Sequence, residues 1–505
     1  MAIRALRGAA ARTFSSLSVR NYRYYFAGQS LSLVGTWMQA IAQSWLVFAR
    51  TRSGTEVGLL VAAQTLPILL FGPIGGTIAD RFGKYRILLW TQTLAGVQAA
   101  VLAGLDLSGH LQVWELFVMA ASLGCINAVD NPTRQTFVVE MVGRSQLQNA
   151  VTLNAVMVNA ARAVGPAAAG FVIAGLGTGW CFAVNAASFG FVVLALLAIR
   201  RDQLAPAPLA ERGPGQLRAG FRYVARTPVL RNSLVMMAVV GCLTYEFQTS
   251  LPLVAGDTFA GTAVTYGIFT AFMGTGAVIG GLVAAGRRNH RPMQLVTTSL
   301  VFGAVVLLAA LAPTVPTECI ALVAVGAGSV TFLSLANTTL QLQAEPSMRG
   351  RVMSLWSVAF MGTTPIGGPI VGFVAGALGA RYGLGIGALA AIAAGLFGLA
   401  VFGDRRARAT SAPIAAVAVA GTGAIATADL GAPDLAAADL GAADLAAADL
   451  AAADLAAADL AAPDLAAADL AAAGVDPAAG AITHPIGEAG VATGHRGAVL
   501  RSDRA

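Results

Sequence analysis

Apolar runs of about twenty residues recur along the chain, separated by short polar interruptions. Twelve are legible, near 26–48, 57–79, 87–107, 113–133, 153–175, 180–199, 232–253, 264–285, 294–312, 317–337, 354–376 and 382–402. Each is long enough to cross the hydrocarbon core of a bilayer as a helix, which takes about 20 residues. The short connections predict an up-and-down bundle. The pattern therefore predicts an all-α polytopic membrane protein with twelve transmembrane helices. Composition narrows this further. Hydrophobic residues make up 56% of the chain, charged residues 11%, and the mean hydropathy is +0.71. A soluble domain carries roughly 25% charged residues, so a water-soluble globule is excluded. The apolar content equally excludes a chain disordered throughout.

Charge assigns the sides. The N-terminal segment, the turns after spans 2, 4, 6, 8 and 10, and the start of the tail carry 25 basic residues. The alternate turns carry three, Arg50, Arg52 and Arg381. This bias predicts that both termini lie in the cytoplasm. Arg4, Arg7 and Arg12 precede the first apolar run, but no small-residue cleavage site follows it, so an uncleaved first helix is expected. Cysteines at 125, 181, 242 and 319 stand singly, and the four histidines are scattered. That leaves almost no raw material for a metal site or a catalytic triad, so neither an enzyme nor a cofactor is expected. No GxxxxGK[ST] sequence is present, so direct use of ATP is not expected.

The organisation reads as an N-terminal six-helix half (1–199), a linker (200–231), a C-terminal six-helix half (232–403) and an acidic tail (404–505). Within the linker, Leu217, Phe221 and Val224 recur at helical spacing beside Arg218, Arg222 and Arg226. This predicts an amphipathic helix at the inner membrane surface. The halves are weakly alike: GGTIADR at 75–81 parallels GGLVAAGRR at 280–288, and GPAAAGFVI at 165–173 parallels GPIVGFV at 368–374. A duplicated six-helix unit explains both matches.

At the turn between spans 2 and 3 the chain reads Gly76-Thr-Ile-Ala-Asp80-Arg81-Phe-Gly83-Lys84-Tyr-Arg86. This resembles the GxLaDRxGrk signature of the major facilitator superfamily, with Tyr85 standing where a second basic residue is common. Asp130-Asn-Pro-Thr-Arg134 at the end of span 4, Gly165-Pro166…Gly170 on span 5, and Arg349-Gly-Arg351 before span 11 extend the likeness. The whole pattern, over residues 15–403, is similar to the bacterial exporter branch that includes the enterobactin exporter and macrolide efflux proteins. The resemblance implies alternating access between two halves and a multi-pass location in the bacterial inner membrane. It also implies a conformational gate built from Gly76, Asp80, Arg81, Gly83, Lys84, Arg86, Asp130, Arg134, Arg349 and Arg351. In the family the Asp80 position faces the start of span 11. Gly165, Pro166 and Gly170 are expected to pack helices, and they resemble an antiporter motif only in part.

Polar groups inside the spans are expensive and therefore informative. Arg162 lies deep in span 5, with Asp130 or Glu246 as a partner; it serves either as a gate and anionic-substrate contact or as half of a buried ion pair. Glu246 on span 7 is the preferred candidate proton carrier, with Asp130 second, because a carboxyl in apolar surroundings can trade protonation for position. Gln39 and Gln43 on span 1, with Asn154, Asn159 and Asn337, are candidates for lining a cavity for an amphiphilic solute. Each serves equally well as an interhelical hydrogen-bonding group.

Between 428 and 472 an ADLxx motif repeats, with Asp at every fifth position from 429 to 469. A five-residue period leaves no continuous apolar stripe on a helix. The repeat resembles pentapeptide repeats that wind into a β-solenoid, and a low-complexity tail is the alternative; its acidity speaks against nucleic acid. The functional expectation is a monomeric, proton-coupled exporter of a small drug-like, siderophore-like or related compound. Uptake, lysolipid flipping by the same fold, and a non-transporting scaffold displaying the tail are the alternatives.

Overall fold

The computed structural model describes residues 14–205, 216–285 and 292–403. The side chains of Asp80, Arg144, residues 216–218 and Ala285 fall outside that description. So do the tail from 404 onward and its repeats at 428–472.

Helix accounts for nearly all of the described chain, and no strand occurs among the described residues. Eleven passages are long and apolar enough to cross a membrane: Gly54–Ala79, Lys84–Leu107, Val113–Gly143, Ser145–Leu176, Thr178–Leu197, Pro228–Thr258, Ala263–Ala284, Pro292–Ala310, Val315–Gln343, Arg349–Leu378 and Ala380–Phe402. A further helix, Arg20–Thr51, precedes them. At 32 residues it is long enough, but it carries many polar residues, among them Gln29, Gln39 and Gln43. Every predicted apolar run coincides with one of these twelve passages, numbered spans 1 to 12 in chain order. Several helices overrun their apolar stretch at the end bearing most basic residues, termed the basic face. Span 4 continues to Gly143 and span 10 to Gln343. A helix once nucleated propagates through polar residues at little cost.

Spans 4 and 5 are joined with almost no loop. The break is Gly143, at φ 68° and ψ 176°. This is the left-handed side of backbone space, where a Cβ is disfavoured. Span 7 is interrupted after Pro228–Leu243 and resumes at Phe247–Leu253 before a π-helical turn, Val254–Thr258. Span 11 is interrupted between Arg349–Met361 and Thr364–Leu378. Sequence reading anticipated neither break.

The first and last six spans meet along two seams. Between spans 2 and 11, a Cβ added at Gly58 would come within 2.2 Å of the Gly368 carbonyl oxygen, and one at Gly372 within 2.2 Å of the Gly54 carbonyl oxygen. Between spans 5 and 8, Gly170 packs on Gly267, and Gly274 on Ala163. Small residues let helix backbones approach this closely in a membrane. The approaches at Gly54, Gly58, Gly170, Gly267 and Gly372 lie toward the opposite face, and that at Gly274 lies at mid-span. Toward the basic face, Val156 on span 5 and Ile279 and Leu282 on span 8 are exposed.

The linker helix, Gln216–Arg226, docks on the turn into span 11. A Cβ at Gly220 would lie 2.9 Å from that of Arg351. The Tyr223 hydroxyl oxygen accepts the Glu345 N–H at 3.1 Å. Val224 is buried, whereas Phe221, Arg222 and Arg226 are exposed.

Candidate functional site

The break in span 7 falls on Glu246. Its carbonyl accepts the N–H groups of Thr249 and Ser250 at 3.1 and 3.0 Å, restarting the helix. Its side chain is buried, with 3% of its surface exposed. A Cβ at Gly367 would lie 3.1 Å from Glu246 Oε1, and one at Gly368 would lie 3.3 Å from Oε2. Those glycines belong to the first turn and a half after the break in span 11. The Gly58–Gly368 approach places span 2 at the same spot. A carboxyl group thus sits where two interrupted helices and span 2 converge. Oε1 has no hydrogen-bond partner among the described residues, although the Thr249 and Thr364 side chains flank the group. Discontinuous helices inside a membrane are tolerated where they build a site.

Asp130 is also buried, at 3% exposure, but it is fully engaged. Thr91 Oγ1 and Gln92 Nε2 donate to Oδ1 at 2.6 and 2.9 Å. Arg134 Nε lies 3.8 Å from Oδ2, and its Nη2 donates to Asn131 Oδ1 at 2.9 Å. This cluster ties span 3 to span 4 near the basic face. Arg162 is half-buried, with its guanidinium carbon 5.4 Å from the centre of the Trp37 ring.

The amides separate by role. Gln39 is 1% exposed; its Nε2 donates to Gln98 Oε1 at 3.2 Å, and Asn185 Nδ2 donates to its Oε1 at 2.8 Å. It therefore knits spans 1, 3 and 6 together. Gln43 is buried one turn further along, and its Nε2 has no hydrogen-bond acceptor among the described residues. Asn337 is buried and accepts from Gln341 Nε2 at 2.5 Å, while Arg349 Nε donates to the Gln341 carbonyl at 3.1 Å. Asn154 and Asn159 are half-buried on span 5, where Asn159 Nδ2 donates to the Ala155 carbonyl at 3.1 Å. Gly165 packs against Trp37, and Gly170 and Pro166 against Gly267, so all three are helix-packing positions.

At the signature turn, Lys84 Nζ pairs with Glu140 Oε1 at 2.9 Å, and both side chains are largely buried. Arg81 and Arg86 are exposed. The Asp80 side chain lies outside the described residues, so its expected contact with span 11 does too. At the far side of the site, Arg351 Nη1 approaches Met348 Sδ at 3.0 Å.

One carboxyl escaped the sequence reading. Glu318, in the first turn of span 10, is fully buried, and neither oxygen has a hydrogen-bond partner among the described residues. Arg381 is close enough to act on it electrostatically. The signal was present in Thr317-Glu318-Cys319, an acidic residue at the start of an apolar run. Arg52 and Asp257 meet at 3.9 Å, joining the ends of spans 1 and 7 at the opposite face.

Comparison with known proteins agrees with this architecture. The chain is 24% identical over 265 residues to the staphyloferrin A transporter of Staphylococcus aureus, spanning 52% of this chain and 66% of that one. It is 26% identical over 361 residues to the multidrug efflux pump Tap of Mycolicibacterium fortuitum, 68% and 87% of the two chains. It is 25% identical over 355 residues to the enterobactin exporter EntS of Shigella flexneri, 70% and 84% of the two chains. The match to staphyloferrin A transporter thus spans just under two thirds of that relative, and the longer matches span more. Among solved structures, the nucleoside transporter NupG superposes with a TM-score of 0.61 at 13% identity, covering 75% of this chain and 99% of that one. Residues 11–417 match the family described as transmembrane secretion effector. The chain belongs to that family of major facilitator transporters.

Proposed function

We propose that the protein is a proton-coupled exporter of small amphiphilic compounds, working by alternating access in a bacterial inner membrane with both termini cytoplasmic. The observation that carries this reading is the place of Glu246 in the seam between spans 2, 7 and 11. An ionised carboxylate held among glycine backbones with no cation beside it is costly, by several kcal/mol at membrane depth. A neutral carboxyl fits there. Protonated Glu246 therefore favours a shut opposite face; loss of the proton favours opening of that face. With the opposite face toward the outside, the cycle becomes antiport. Solute enters from the cytoplasmic side as the proton leaves inward; the outer side opens; an external proton then neutralises Glu246, and the seam closes.

The substrate class follows from two sources. Half-buried Asn154, Asn159 and the Arg162–Trp37 pair offer amides, one cation and an aromatic face on span 5, which suits an amphiphile with anionic or hydrogen-bonding groups. The named relatives carry siderophores and drugs. Gating is assigned to the Lys84–Glu140 and Asp130–Arg134 pairs, with Gly76, Gly83, Arg81, Arg86, Arg349 and Arg351 around them. A monomer suffices for this cycle.

The test is purified protein in liposomes with an imposed pH gradient, assayed with a catecholate siderophore and a fluorescent cationic dye. Gradient-dependent movement of either solute is expected, together with its loss in Glu246→Gln. Movement of both solutes at the same rate with and without the gradient would refute proton coupling.

A further inference from the structure

A second site is built on the basic face, away from the seams. A cavity of about 320 Å³ opens between the start of span 3, the end of span 4 and the segment after span 6. Tyr85 and Leu204 line it along with four charged side chains, Lys84, Arg86, Glu140 and Arg201. Lys84 and Glu140 cancel each other through their 2.9 Å ion pair. Arg201 is held in place by Tyr85: its guanidinium carbon lies 4.2 Å from the ring centre, and its Nη2 is 3.1 Å from the Tyr85 hydroxyl oxygen. Arg86 is exposed. Neither arginine has an ion-pair partner among the described residues. The cavity thus carries two uncompensated guanidinium groups. It also faces the first turn of a 24-residue helix whose N-cap, Gly83, supplies no side-chain cap. Both features favour an anion, and a planar guanidinium matches the oxygens of a phosphate.

The surroundings identify where that phosphate comes from. Phe82, beside the cavity, is 63% exposed, and Trp90 is 69% exposed. From Trp90 onward, Leu94, Val97 and Val101 are exposed at helical spacing, forming one apolar stripe up span 3. An anion at Arg86 and Arg201 would have apolar surface running directly from it into the bilayer.

We infer that this cavity binds the phosphodiester of an anionic phospholipid, with the phosphate between Arg86 and Arg201 and an acyl chain along Trp90, Leu94 and Val97. A bound lipid would clamp the signature turn to the ends of spans 4 and 6 and hold the first six spans as one body.

The test is native mass spectrometry of the full chain released from phosphatidylglycerol-containing nanodiscs, with lipid titration. The wild type should bind one phosphatidylglycerol more tightly than the rest. Arg86→Gln/Arg201→Gln should weaken that binding about tenfold or more, since each basic group near a membrane surface contributes measurably to anionic-lipid affinity. Arg222→Gln/Arg226→Gln on the linker helix should leave it unchanged. Arg86→Lys/Arg201→Lys, which keeps the charge, should recover part of the affinity and will expose any loss due to misfolding. Equal loss in the Gln pair and the linker pair would overturn the site. Displacement of the lipid by inorganic phosphate at matched concentration would overturn the lipid as its source.

Discussion

At the scale of single residues, burial and partners decide function more than residue type does. Gln39 and Gln43 look alike in sequence, yet Gln39 closes a chain of hydrogen bonds to Gln98 and Asn185, and Gln43 Nε2 has no acceptor. Gln39→Leu should therefore cost about 1–2 kcal/mol of stability, because it strands two buried partners. A thermal-melting comparison should show that loss, while solute affinity stays at the wild-type value; a changed affinity with unchanged melting would return Gln39 to the cavity. Lys84→Met leaves Glu140 as a largely buried, unpaired carboxylate. It should destabilise the protein more than the double variant Lys84→Met/Glu140→Met, in which no charge is stranded. Equal melting temperatures for the two would show that the ion pair carries no coupling. The sequence flagged Asp130 and Glu246 because charge in an apolar setting is conspicuous, and Lys84 because it belongs to the signature turn. It could not distinguish a satisfied carboxyl from an unsatisfied one, since Thr91 and Gln92 reach Asp130 from another span.

At the scale of elements, the spans were legible because membrane thickness sets a length that apolar runs must meet, and the alternation of arginines fixed their parity. The interruptions in spans 7 and 11 were not, because Cys-Leu-Thr-Tyr-Glu and Met-Gly-Thr-Thr-Pro read as ordinary polar specks in long apolar runs. Only the packing of each break against the other span gives it meaning. Span 1 is the converse case: a helix with many polar residues whose polar face is covered by neighbouring spans. The seams yield a direct prediction. In Gly58→Leu the new side chain would collide with the Gly368 backbone, 2.2 Å from its first atom, and the seam must part. A cysteine placed at Thr249, which is fully buried, should then become reactive to a membrane-impermeant maleimide added at the opposite face. Gly72→Leu is the control, because nothing lies within 4 Å of that position; labelling there should match the parent. Equal labelling in the two backgrounds would show that the glycine seam does not seal the opposite face.

At the scale of the whole molecule, the account joins a shut opposite face, a basic face lined by the signature turn, and one carboxyl at the seam. Protonation and opening must then be linked. The burial of Glu246 sets the sign: raising the pH ionises the carboxyl and pushes the seam apart; lowering the pH closes it. The most direct measurement is electron-electron resonance distance between spin-label pairs, recorded across a pH series in nanodiscs. One pair, at Gln112 and Thr314, spans the opposite face; the other, at Gln203 and Glu345, spans the basic face, and all four positions are exposed. The account predicts that the first distance lengthens and the second shortens as pH rises, and that Glu246→Gln holds both at their low-pH values. Distances that ignore pH in the wild type, or that respond equally in Glu246→Gln, would contradict it.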